Sequence, residues 1–148
     1  MSLIVNKKAH HEYTIETKYV AGVVLSGQEV KSLRLGHASF AGSYIKIIGG
    51  EAFLLNTQIN KYPYSQEKDY DPKRTRKLLL NKKELLELQE WSNNKGRAIV
   101  PLTFFVGGRN IKMDIGVGRG KKVHEKRAVL KQRDQEREIQ RDTKYRIR

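Results

Sequence analysis

Between Asn110 and Gly118 the chain reads "NIKMDIGVG", with Ile111, Met113, Ile115 and Val117 alternating with Lys112, Asp114 and Gly116. A period of two belongs to a β-strand with one buried and one wet face, and excludes an amphipathic helix. Apolar residues keep mainly to strand spacing from about Tyr13 to Val117. "SYIKII" and "EAFLLN" are separated by Gly49-Gly50, and "LTFFV" and "NIKMDIGV" by Gly107-Gly108-Arg109, so each pair reads as a hairpin. One helix is expected after Asn81, which can cap it with Glu84 three residues on, while Leu85, Leu88 and Trp91 share a stripe and "NNKG" ends it. "GQEVKSLRLG" fits a second helix ending at Gly36 or a bent strand. Short strands with two or three flanking helices, in about a hundred residues, predict a mainly β fold: a small barrel of the oligonucleotide-binding (OB) type.

The 148 residues suit one domain. With no cysteine there is no disulfide, no thiolate catalysis and no sulfur-ligated zinc. No segment approaches the ~20 apolar residues of a membrane span, and "MSLIVNKKAHHEY" lacks the apolar core of a signal peptide, so a cytoplasmic protein is expected. Lys and Arg number 30 against 16 Asp and Glu, giving a net charge of +14 and a pI near 10.0. Such an excess points to a polyanion, and nucleic acid is the leading partner. A membrane surface is disfavoured, because no helix-length stretch opposes an aromatic and Leu face to a basic one.

Composition changes after Gly118. Residues 119–148 hold twelve Lys and Arg against five Asp and Glu, a net +7. Their apolar side chains are too sparse for a core stripe, yet Arg133, Arg137 and Arg141 recur every four residues, and neither Gly nor Pro follows Gly120. The expected organisation is a barrel over 1–118 and a basic tail over 119–148, disordered alone and helical when bound.

Motifs for chemistry are wanting. "GVGRGKK" has Ile115 where a phosphate loop needs its first Gly and Lys122 where it needs Ser or Thr, so a basic hinge is the better reading. His10, His11, His37 and His124 show no metal-ligand spacing. No cofactor, metal site or catalytic constellation is predicted. Glu29 reads either as an ion-pair partner that holds a basic surface in shape or as an acceptor for a base or ribose hydroxyl. In "DPKRTRKLLLNKKE", Lys73, Arg74, Arg76 and Lys77 form a cation cluster that Leu78 to Leu80 root in the core, as backbone-phosphate contacts require.

"NKKAHHEY", "AGVVLSGQEVKSLRLG", "SYIKIIGGEAFLLN", "DPKRTRKLLLNKKEL" and "IGVGRGKKVHEKR", in this order and spacing, resemble the SsrA-binding protein family. The resemblance spans Asn6 through the tail. It implies an OB-type barrel that binds the tRNA-like domain of transfer-messenger RNA in trans-translation, with the tail entering the empty messenger channel of a stalled ribosome near the small-subunit decoding centre. It implies no enzymatic activity, and elongation factor Tu as an indirect partner of a monomer through the charged RNA. By position, Asn6, Lys7, Lys8, His11, Tyr13, Glu29, Lys31, Ser32, Arg34, Arg74, Arg76 and Lys77 match its RNA-binding surface. Gly120, Lys121, Lys122, His124, Glu125, Lys126 and Arg127 match its ribosome-contacting tail, with His124 placed to stack on a decoding-centre base. Val20 stands where the family usually has Glu, and Glu125 where it has Asp. The runner-up reading is a ribosomal protein or translation factor whose barrel and tail bind ribosomal RNA.

Overall fold

The computed structural model describes residues 2–121. Among the described residues three helices, α1 (Lys7–Glu12), α2 (Gly27–Arg34) and α3 (Lys82–Ser92), punctuate nine strands. The strands are β1 (Ser2–Val5), β2 (Tyr13–Val23), β3 (Ala38–Ser39), β4 (Tyr44–Ile48), β5 (Glu51–Leu55), β6 (Gln58–Ile59), β7 (Arg76–Leu79), β8 (Ala98–Gly107) and β9 (Asn110–Gly120). Seven of them form one antiparallel sheet in the order β1-β8-β9-β2-β7-β5-β4, and β3 pairs separately with β6. The sheet curls until β4 lies beside β8, closing a small barrel of the OB type.

Local chemistry explains the predicted elements. Gly49 and Gly50 take φ of 59° and 76°, and the hairpin they form pairs Ile48 with Glu51. Positive φ at both central residues matches the twist of the flanking strands. In the second hairpin Gly107 belongs to β8 and pairs with Asn110, leaving Gly108-Arg109 as the connection. Asn81 and Glu84 complete a reciprocal capping box at α3. Ser26 and Glu29 do the same at α2, and Gly36 follows at φ 78°, so this segment is a helix and not a bent strand. Leu33 and Leu88 bring α2 and α3 onto the barrel core, and each is fully buried.

Inside the barrel Ile111, Met113, Ile115 and Val117 are all buried, with the Phe40 and Phe104 rings stacked at 5.0 Å. The opposite face of β9 departs from the expected wet surface, because Gly116 and Gly118 are buried there as well. The reason is α1, which sets Ala9 against Val100 and Leu102 and builds a second, smaller apolar cluster outside the barrel. A bulge in β8 between Pro101 and Thr103 switches the strand's facing, so that Leu102 points to this outer cluster and Phe104 to the inner one. Pro101 donates no amide, and its carbonyl accepts from the Asn6 side chain at 2.7 Å.

The bulge in β2 between Ile15 and Thr17 presses its backbone on Gly118. A Cβ at Gly118 would stand 2.4 Å from the Thr14 carbonyl oxygen, whereas one at Gly120 would meet nothing within 4 Å. Gly118→Ala is therefore expected to lower stability by about 1–3 kcal/mol, and Gly120→Ala by less than about 0.5 kcal/mol. Urea unfolding of the two variants beside the parent checks this, and equal midpoints would refute it.

Candidate nucleic-acid interface

The capping box of α2 places a carboxylate at the centre of a connected polar cluster. Glu29 Oε1 accepts from the Ser26 amide at 2.9 Å and from Arg74 Nη2 at 2.5 Å, while Oε2 accepts from Arg76 Nε at 2.9 Å and from Arg76 Nη2 at 2.5 Å. Arg76 also donates from Nη1 to the Thr57 carbonyl at 2.5 Å and from Nη2 to the Pro72 carbonyl at 3.1 Å. The Tyr70 hydroxyl stands 2.7 Å from the Ile59 carbonyl, 3.1 Å from Glu29 Oε2 and 3.1 Å from Arg76 Nη2. Its single proton goes to the nearest acceptor, Ile59, which leaves its oxygen free to accept from Arg76. Glu29 and Arg76 have no exposed surface at all.

The electrostatics follow from this geometry. Burial disfavours the Glu29 anion, but hydrogen bonds from Arg74, the Ser26 amide and Arg76 outweigh it and hold the pKa down to about 2. Burial, with the Glu29 charge beside it, pushes the Tyr70 phenol up to about 12. The carboxylate is therefore ionised and the phenol neutral at any physiological pH, and the cluster is a fixed strut.

Of the expected RNA-contacting set, Glu29, Ser32 and Arg76 are corrected to interior positions, each with 0% relative exposure. Arg76 and Leu78 share the inward face of β7, while Lys77 and Leu79 point out. Ser32 Oγ donates to the Asn60 carbonyl at 2.6 Å and so fastens α2 to the loop after β6. These three shape the surface from behind. Lys31, Arg34 and Lys77 are exposed, and Arg74 is partly so. Lys77 lies 3.0 Å from the Glu51 carboxylate, and such an exposed pair contributes little, about 0–1 kcal/mol.

The remaining expected residues gather elsewhere. Asn6 caps α1, with Oδ1 accepting from the Ala9 amide at 3.2 Å. Lys7 and Lys8 project to solvent, whereas His11 and Tyr13 are half-buried. Tyr13 pairs with Gly120 across the β2–β9 ladder, and the Lys121 amide donates to the Glu12 carbonyl at 2.8 Å. The Lys121 ammonium donates to the His10 carbonyl at 3.1 Å. The stretch around α1 and the start of the tail motif thus form one surface. Lys122, His124, Glu125, Lys126 and Arg127 lie outside the described residues. Strand β2 links the two groups, its Tyr13 end at α1 and its Val23 end at β7. At about 3.3 Å per residue they stand roughly 30 Å apart along the strand.

Glu29→Gln removes the anion from a buried guanidinium and is expected to cost about 3–5 kcal/mol, with Lys31→Ala within about 0.5 kcal/mol of the parent. In the parent, Glu29 is depressed to about 2 in the folded state, against about 4.3 unfolded. Its contribution is therefore complete above the unfolded value and is lost as pH falls toward the folded one. Chemical denaturation of the parent and Glu29→Gln from about pH 7 down to about pH 2 should show the gap between them narrowing on the acid side. A gap that does not change with pH would contradict the assignment.

Comparison with known proteins agrees with this architecture. The family model described as "SmpB protein" matches residues 3–145. The SsrA-binding protein of Lactobacillus delbrueckii subsp. bulgaricus is 44% identical over 142 residues, covering 96% of this chain and 92% of that one. That of Chloroflexus aggregans is 44% identical over 146 residues, covering 97% and 91%. A solved structure described as "tmRNA-SmpB: a journey to the center of the bacterial ribosome" superposes with a TM-score of 0.70 at 40% identity, over 83% of this chain and 87% of that one. With a family match along nearly its whole length and relatives 44% identical over almost all of it, the chain belongs to the SmpB family of SsrA-binding proteins.

Proposed function

We propose that this chain is an RNA-binding adaptor of trans-translation. It binds the tRNA-like domain of transfer-messenger RNA, the SsrA RNA, and delivers it to stalled ribosomes. The observation that carries the reading is the division of the basic residues into two surfaces at the ends of β2, each built on a rigid support. One, around Lys31, Arg34, Arg74 and Lys77, is held in shape by the Glu29 cluster. The other, around Asn6, Lys7, Lys8 and Tyr13, is continuous with Gly120 and Lys121, where the tail begins. The adaptor is a cytoplasmic monomer. Its barrel holds the RNA, and its tail enters the vacant messenger channel, becomes helical there, and stacks His124 on a base of the decoding centre. Elongation factor Tu meets it only through the charged RNA. None of these steps makes or breaks a covalent bond, so the protein's task is positioning.

Binding of the full chain to the tRNA-like domain, with ordinary tRNA as competitor and salt varied, tests the reading directly. Preference for the tRNA-like domain is expected, with log affinity falling by about 0.7–0.9 per neutralised phosphate against log salt. Equal binding to both RNAs, or a flat salt dependence, would sink it. Truncation after Lys121 keeps the tie to α1 and should preserve RNA affinity while abolishing peptide tagging on stalled ribosomes. A tail that serves as an RNA anchor would lose the affinity itself, as a ribosomal-RNA-binding protein should. His124→Ala should likewise bind free RNA as the parent does, yet accommodate slowly on stalled ribosomes.

A further inference from the structure

The segment between β6 and β7 carries an aromatic side chain that the fold does not use. Tyr64 is 82% exposed, the most open of the large apolar side chains among the described residues. Burying a tyrosine ring is ordinarily favourable, so an open one on a well-tied segment is available to a partner. The segment is well tied. The Tyr62 amide donates to Gln28 Oε1 of α2 at 3.3 Å, the Gln28 side-chain amide donates to Glu67, and the Ser65 amide closes a turn on the Tyr62 carbonyl at 2.9 Å. At its two ends Tyr70 and the Pro72 carbonyl join the Glu29 and Arg76 cluster, and the Asn60 carbonyl is held by Ser32.

Within this frame Tyr64 packs edge-on against Tyr62, with ring centres 5.5 Å apart and planes at 64°. The Lys31 ammonium sits 5.4 Å from the centre of the Tyr62 ring. Lys31 thus supplies positive charge to an aromatic pair whose outer member is open to solvent, and Lys61 adjoins it in the chain. The edge-to-face contact orients the Tyr64 ring in advance, which lowers the ordering cost of a stacking partner. An exposed ring beside cations is the arrangement that takes an unpaired base of a nucleic acid, the ring accepting its face and the cations its flanking phosphates.

We propose that Tyr64 is a stacking platform for an unpaired base of the bound RNA, oriented by Tyr62 and served by Lys31. The assignment rests on the RNA-adaptor reading above and adds to it a contact that reads unpaired structure, where the neighbouring cations read only phosphate. Because stacking uses the ring and not the hydroxyl, Tyr64→Phe and Tyr64→Trp retain affinity. Tyr64→Ala loses it without altering the number of neutralised phosphates.

The test measures affinity and salt slope for the parent, Tyr64→Ala, Tyr64→Phe and Lys31→Ala, on the tRNA-like domain of transfer-messenger RNA and on a fully paired RNA duplex. On the tRNA-like domain Tyr64→Ala is expected to weaken binding roughly 5- to 100-fold with the slope unchanged. Tyr64→Phe stays near the parent, and Lys31→Ala reduces the slope by about one. On the duplex Tyr64→Ala has no effect. Its exposure predicts an unchanged melting temperature for Tyr64→Ala, which confirms that the fold is intact. Parent-like binding by Tyr64→Ala overturns the platform, as does a loss in Tyr64→Phe equal to that in Tyr64→Ala. Normal RNA binding by Tyr64→Ala with reduced peptide tagging on ribosomes would assign the ring to a ribosomal surface and also overturn it. Absence of any preference by the parent for the tRNA-like domain would instead strike the adaptor reading, a result separable from all of these.

Discussion

The buried pair of Glu29 and Arg76 is the constraint around which α2, β7 and the segment between β6 and β7 are arranged. An ion pair removed from water costs several kcal/mol per ion in desolvation, and it persists only where every donor and lone pair finds a partner. Here the partners come from separate stretches of chain: the α2 cap at Ser26, the carbonyls of Thr57 and Pro72, the Tyr70 hydroxyl, and Arg74 just before β7. The pair therefore contributes less as raw stability than as geometry. It holds a helix, a strand and a long connecting segment in one arrangement, and the exposed cations inherit that arrangement.

A second constraint acts at the other end of β2. A six-residue α-helix is too short to persist alone, so α1 exists because its Ala9 side packs on Val100 and Leu102. That packing turns the outer face of β9 into a second interior and brings Glu12 against Lys121. Lys121, the last described residue, is thereby tied into a corner beside Lys7 and Lys8. Strand β2, paired along most of its length with β9, is the spacer that keeps this corner at a set distance from the Lys31 and Arg74 surface. In the adaptor role proposed above, that spacing serves to present the RNA and the tail to different sites.

Charge is distributed with the same logic. Of the cations around "KRTRK", Arg76 is consumed inside by Glu29, Arg74 is shared between the carboxylate and the surface, and Lys77 faces Glu51 at the rim. The interior anion thus trims the local excess and fixes where the rest of it points. Lys31 is spent differently, against the ring of Tyr62. Positive charge positioned by aromatic and carboxylate neighbours gives orientation as well as attraction, which a solvated run of lysines does not.

The elements legible in the amino-acid order are those whose signals are local. The alternation from Ile111 to Val117, the paired glycines at Gly49 and Gly50, and the capping residue Asn81 each act within a few residues, and each produced the element it implied. The inward place of Arg76 was written in the same alternation, two residues before the core residue Leu78, but a cation in a dense basic run reads as surface until its counter-ion is known. That counter-ion, Glu29, lies 47 residues away in the chain. Helix α1 and strand β1 likewise had no local signature, since each depends on contact with β8 roughly ninety to a hundred positions on, and Gly118 is covered by Thr14 and Ile15 of β2, about a hundred positions back. The order of residues alone carried the two hairpins, helix α3, the basic character and the family resemblance. Which charges face water and which are entombed was decided only by the tertiary structure, because burial is a property of distant segments brought together and no short window of residues contains it.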